Sequence, residues 1–175
     1  MLTDADIKKH LKLIKGDTKV YTPLKYFRGL TNLRDVRSRY QRILKGVKSS
    51  DFSAFKTDKN KQTKKSKYTA AFEKEFPTAK SLKAKSIATG IPYTVIKEVY
   101  DKGLAAWATG HRVGATAQQW GYARVHSFIM LGCAAYTADK YLLKRAILSM
   151  SQRNIDVWKS RKTLCSKKHH DVFSV

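Results

Sequence analysis

Acidic residues are few in this chain. Against 36 Lys and Arg stand 13 Asp and Glu, which leaves a formal charge of +23 over 175 residues. Such a surplus exceeds what solubility needs and implies a negatively charged partner: nucleic acid, an anionic lipid surface or the acidic faces of other proteins. A folded monomer carrying it repels itself, so a lasting counter-charge is expected. So few carboxylates also weaken any acid–base or nuclease-type site. Glu73 and Glu75 point to different sides of a helix, and Glu98 and Asp101 read as solubilising charges.

Cysteine is nearly absent. Cys133 and Cys165 cannot make a disulfide framework and fit a reducing compartment. Zinc usually takes four ligands, so Cys165 with His169 and His170 does not make a metal site, and neither a metal nor a cofactor is expected. Long apolar runs are missing too. The longest, Val125 to Tyr136, falls short of the roughly 18 residues of a membrane span. Residues 1–15 hold Asp4 and Asp6 among basic residues without an apolar core, which argues against a signal peptide. No phosphate-cradling glycine loop of the G-x-x-x-x-G-K-[ST] kind occurs.

What remains reads as mainly α: a small helical bundle with an extended basic N-terminal arm and a C-terminal tail. Residues 1–46 form a basic helical segment. Thr3 or Asp4 caps a first helix with Ile7, Leu11 and Ile14 at helical spacing, ended by Gly16. A second runs from Asn32 to Lys45 with Leu33, Val36, Tyr40, Ile43 and Leu44 as its stripe, arginines 34, 37, 39 and 42 around it, and Gly46 as its stop. Residues 47–68 are Lys-rich and poor in apolar contact, so an extended arm that orders on a partner is expected. In it Lys56, Lys59, Lys61, Lys64, Lys65 and Lys67 are candidate anion contacts, with Phe52 and Phe55 as anchors.

Residues 69–150 carry the bundle. A short helix ends before Pro77, Thr78 caps the next up to Gly90, and Pro92 opens a third. Val95, Val99 and Trp107 lie on that helix's apolar stripe, and Gly103 either breaks it or admits another backbone. Thr116 caps a helix with Trp120 and Phe128, and Thr137 caps the last; both Trp107 and Trp120 are expected in the core. Residues 151–175 form a basic tail in which Trp158, Leu164 and Phe173 are isolated apolar points.

Three polar groups invite chemistry. His111-Arg112, in a turn before a helix N-terminus, could clasp an anion or simply bond helix-end carbonyls. Arg124 shares a face with Trp120, and it could reach a phosphate or satisfy a nearby turn. His126-Ser127 has the residue types of a nucleophile and its base, but adjacent helical residues point apart and no acid lies nearby to orient the ring. No catalytic residue is therefore assigned, and the chain is read as non-enzymatic.

The stretches Thr89-Gly90-Ile91-Pro92, Val99 to Trp107, Thr109-Gly110-His111-Arg112 and Gln119 to Val125 together resemble a domain of unknown function. It occurs in small basic proteins of phages and of large algal and amoebal DNA viruses. The shared pattern is a Lys-Gly-x-x-Ala step, a Gly-x-Arg turn and a Trp-Gly-x-Ala-Arg helix, and the likeness extends over roughly residues 20 to 145. Gly132-Cys133-Ala134-Ala135 departs from the Gly-Gly-Lys type turn of many relatives. The resemblance implies a viral origin and a place in the virion, and it brings no known activity. The expectation is a minor capsid protein on the genome-facing side of a large icosahedral DNA virus. Its partners would be major capsid protein capsomers and other minor capsid proteins, with genomic DNA or an anionic membrane surface as further candidates. It would be synthesised in the host cytoplasm and would not span a membrane. The alternative is a sequence-nonspecific nucleic-acid-binding protein packaged with the genome.

Overall fold

A computed structural model describes residues 2–49, 53, 55–161 and 164–165. The described residues hold nine α-helices and no strand, so the chain is mainly α. They divide into two compact units, residues 1–64 with 104–120 and residues 65–103 with 121–175. These units cut across the consecutive segments read from composition.

The first unit begins with α1, Asp4–Lys15, closed by a capping box in which the Thr3 hydroxyl accepts from the Asp6 amide and Asp6 accepts from the Thr3 amide. Ile7 and Leu11, one turn apart, are its buried points. A 3-10 turn at Leu24–Tyr26 leads to α2, Leu33–Ser49, where Asn32 accepts from the Asp35 amide at 2.8 Å. Val36, Tyr40 and Ile43 enter a core shared with Phe27, Leu30, Phe55 and Trp107.

Two expectations for α2 are corrected. Gly46 does not stop the helix. It lies inside it and is buried, because the Ala108 carbonyl occupies the place where a β-carbon would stand. Arg39 is not on the solvated side but 0% exposed, among the apolar residues of the stripe. The lysine-rich stretch differs from an open arm as well. Phe55 is 2% exposed and lies in the core with its ring 5.5 Å from that of Trp107, followed by a 3-10 turn at Lys56–Asp58. Phe52 lies outside the described residues.

The second unit contains α3 (Lys67–Glu75), α4 (Leu82–Thr89), most of α5 (Tyr93–Ala108) and of α6 (Ala117–Ile129), then α7 (Cys133–Tyr136), α8 (Lys140–Ser149) and α9 (Gln152–Lys159). Val95, Val99 and Phe128 are in its core, with Phe72, Ile96, Leu142 and Trp158. Gly103 admits another backbone: a β-carbon there would meet the Cα of Gly121 at 2.7 Å. Gly90 takes the left-handed conformation after α4 (φ 71°), where glycine is least strained.

Caps and tail differ from the sequence reading. Ser81, not Thr78, caps α4 through its hydroxyl. Thr137 donates to the Cys133 carbonyl instead of capping, and α8 starts after Asp139. Residues 152–159 are helical, not an open tail, because Ile155 and Trp158 are buried and the Trp158 indole donates to the Ile129 carbonyl at 2.8 Å. Cys133 and Cys165 are joined in a disulfide rather than standing as separate thiols. Phe173 lies outside the described residues.

Candidate functional site

The first unit is organised around one buried cation. Arg39 projects from α2 into the core and donates to the Tyr26 carbonyl at 2.6 Å and the Thr57 hydroxyl at 2.7 Å. It also donates to Asp58 Oδ1 at 2.7 Å and the His111 carbonyl at 2.7 Å. Asp58 answers from the second 3-10 turn: Oδ1 also accepts from the Gly114 amide at 2.9 Å, and Oδ2 lies 2.6 Å from His111 Nε2. The other ring nitrogen of His111 lies 2.9 Å from the Trp107 carbonyl, and its ring stacks on the Trp107 indole at 4.4 Å.

Burial pushes the Asp58 carboxyl upward, but His111, the Arg39 charge and the Gly114 amide outweigh it and hold the group below the usual carboxylate range. Burial in turn lowers Arg39, against the opposing pull of Asp58. The network ties α2, the Lys56–Asp58 turn and the 111–114 loop together. His111 is fully buried within it.

Next to this network a cleft of about 390 Å³ opens to solvent. Ser38, Arg39, Gln41, Arg42 and Lys45 of α2 form one wall, and Ser53, Phe55, Lys56 and Thr57 the other. Arg39 is already paired with Asp58, and the exposed Lys45 and Lys56 on the cleft's two walls are the cations that suit an anionic group better than a neutral one. The cleft continues onto the outer side of α2, where Arg34, Arg37, Ser38, Gln41, Lys45 and Lys48 are all exposed.

Among the described residues of the second unit, Lys85, His126 and Asp139 are the buried ionisable side chains. Lys85 is 3% exposed and donates to the carbonyls of Ala79 and Lys80, with its ammonium 5.0 Å from the ring centres of both Phe72 and Tyr122. Burial, then the nearby Lys80 charge, lower it to about 8. His126 stacks on Phe72 at 4.4 Å, and its Nδ1 lies 3.0 Å from the Thr69 hydroxyl. Its Nε2 is buried without a hydrogen-bond partner among the described residues, and burial followed by the Lys85 charge depresses the ring to about 4. Asp139, fully buried, accepts two bonds from Arg124 at 2.7 and 3.0 Å and pairs with Lys102 at 3.0 Å.

The candidate residues of the sequence fall into three groups. His111, Arg124 and Phe55 are engaged within the fold: the first bonds to Asp58, the second to Asp139, and the third is in the core. Trp107 is buried, whereas Trp120 is only partly so. Arg112 is exposed, as are Lys56, Lys59, Lys61, Lys64, Lys65 and Lys67. Of these lysines, Lys65 pairs with Glu73 at 2.6 Å and Lys67 donates to the Leu164 carbonyl at 3.3 Å. Lys56, Lys59, Lys61 and Lys64 make no ion pair among the described residues.

Sequence reasoning missed Arg39, Asp58, Lys85 and Asp139. Arg39 carried a usable signal, since it lies three residues after Val36 and four before Ile43, on the apolar side of α2. No group of three or more His, Cys, Asp or Glu among the described residues could hold a metal ion. No helix there is long and apolar enough to cross a membrane.

Comparison with known proteins finds one family model, described as a family of unknown function (DUF5824), matching residues 23–144. No curated protein and no solved structure matches.

Proposed function

The chain belongs to the DUF5824 family, whose function is unknown, and we propose that it is a non-enzymatic structural protein that binds polyanions through its basic surface. In keeping with the viral resemblance of residues 89–125, its place would be the genome-facing side of a large DNA virus particle, beside capsomers and other minor capsid proteins. The observation that carries the reading is how the acids are spent. Asp4, Glu73, Glu75, Glu98 and Asp101 are each paired with a basic side chain, and Asp58 and Asp139 each serve two. Many cations, among them Arg34, Arg37, Lys48, Lys59 and Lys61, are left exposed, which supports an external anion as the partner that offsets them.

We assign no catalytic role to His111 and His126, which are both buried and do not line the cleft beside α2. The deciding experiment is graded salt washing of purified particles, followed by mass spectrometry of the shell and of the released genome. Retention on the shell after DNA release supports the capsid placement. Departure with the genome or with salt favours the alternative of a packaged, sequence-nonspecific nucleic-acid-binding protein. Absence from particles refutes both placements.

A further inference from the structure

We infer that the exposed side of α2 is a docking surface for the phosphodiester backbone of a nucleic-acid duplex, an inference that rests on the polyanion-binding reading and locates it. Arg34, Arg37, Gln41, Lys45 and Lys48 follow one another at steps of three and four residues, which keeps them on one helix face. Their span, 14 residues at a rise of about 1.5 Å, is roughly 21 Å of straight, cation-bearing surface. A helix of this kind is the element that fits a DNA major groove, about 12 Å wide.

The surface is fixed before any partner arrives. The opposite side of α2 is buried through Val36, Tyr40 and Ile43, and Arg39 bolts it to Asp58 and the His111 carbonyl. Little ordering is left for binding to oppose, unlike the flexible lysines of a tail. Arg34, Arg37 and Lys48 make no ion pair among the described residues. The cleft borders the same face, so Lys56 adds a cation across from Ser38, Gln41 and Lys45.

Two other partners fit less well. Helix insertion into a membrane surface needs an apolar face turned to the lipid, and the apolar face of α2 is already in the core. Single-stranded nucleic acid is held by aromatic stacking platforms, and the nearby rings of Tyr40 and Phe55 are buried. A duplex read through its phosphates needs neither.

The test measures binding of the full chain to a short random-sequence DNA duplex across a series of salt concentrations. Two variants remove the same charge: Arg34→Gln/Arg37→Gln/Lys48→Gln on α2, and Lys74→Gln/Lys83→Gln/Arg153→Gln on exposed positions of the second unit. The plot of log affinity against log salt should become shallower by about 2.7 for the α2 variant and by less than about 1 for the other, at about 0.9 per lost phosphate contact. Gln41→Lys should steepen it by about 0.9. Equal effects of the two triple variants, or no effect of Gln41→Lys, would overturn the placement on α2 while leaving polyanion binding intact. Failure of the unsubstituted chain to bind duplex at low salt would overturn the underlying reading. Binding to phosphatidylserine vesicles that needs the α2 arginines, without binding to duplex, would overturn the choice of partner.

Discussion

Arg39 and Asp58, 19 residues apart in the chain, meet at 2.7 Å with the arginine side chain fully buried and the carboxylate 15% exposed. Asp58 also meets His111 and the Gly114 amide, but Arg39 has no other carboxylate among the described residues. Arg39→Met should destabilise the protein by about 3–5 kcal/mol, because it removes the buried cation beside Asp58 and leaves the Tyr26 and His111 carbonyls without this donor. Urea unfolding of Arg39→Met, Asp58→Asn and the double variant gives the coupling. The double variant should lose clearly less than the two single losses together, and simple additivity would contradict a mutual pair.

His126 makes stability depend on pH. Its folded-state value of about 4 lies below the ordinary 6.5, so the unfolded chain binds the extra proton first. The contribution is complete above about pH 6.5, fades as pH falls towards 4, and amounts to something on the order of 3 kcal/mol. Lys85, Lys65 and Glu73 act on the ring, the lysines downward and the glutamate upward. Subtracting the unfolding free energy of His126→Leu at each pH isolates the effect, and a difference that stays level from pH 7 to 4 would rule it out. Asp58 acts lower still: its depressed carboxyl stabilises the fold above the ordinary carboxylate range and ceases to as pH falls below it.

Gly103→Ala reverses the usual helix preference. In an open helix alanine is better than glycine by about 1 kcal/mol. Here the new methyl would press on the Gly121 backbone at 2.7 Å, so a net loss of about 1–3 kcal/mol is expected from overpacking. Thermal unfolding reads the sign directly, and a raised melting temperature would show that α5 and α6 do not need this close approach.

The Cys133–Cys165 bridge closes a loop with a sequence separation of 32. Chain-entropy reasoning gives it about 3–4 kcal/mol. Adding reductant should lower the unfolding midpoint of the native chain and leave Cys133→Ser unmoved. Equal sensitivity of both would show that the cysteines are not paired in solution.

Much of the fold could be read in advance because local rules decided it. The Thr3 cap, the Ile7–Leu11 spacing, the start of α5 at Pro92 and the Thr116 cap all follow from hydrogen bonding and periodicity within a few residues. Where a distant contact decided the matter, local rules gave the wrong answer. Gly46 continues a helix because Ala108 lies against it, and Phe55 is core because Trp107 and His111 surround it. Composition marked the stretch around Lys56 as open without indicating that Asp58 is held by a residue on α2. The basic face of α2 is legible as spacing alone. Periodicity also places Arg39 on the apolar side, but the acid and carbonyls that hold it there lie 13 to 72 residues away in the chain.

The interleaving of the two units has a consequence for synthesis. Residues 104–120 supply Trp107, Val113 and the Asp58-bound His111 to a unit that otherwise ends at residue 64. On a ribosome the first 64 residues must therefore wait for 56 more before their core can close. At about 5–20 residues per second that interval is several seconds. Throughout it α2 has neither Trp107 to cover its apolar side nor the His111 carbonyl to hold Arg39. Until then the apolar side of α2 lacks the cover it has in the folded chain.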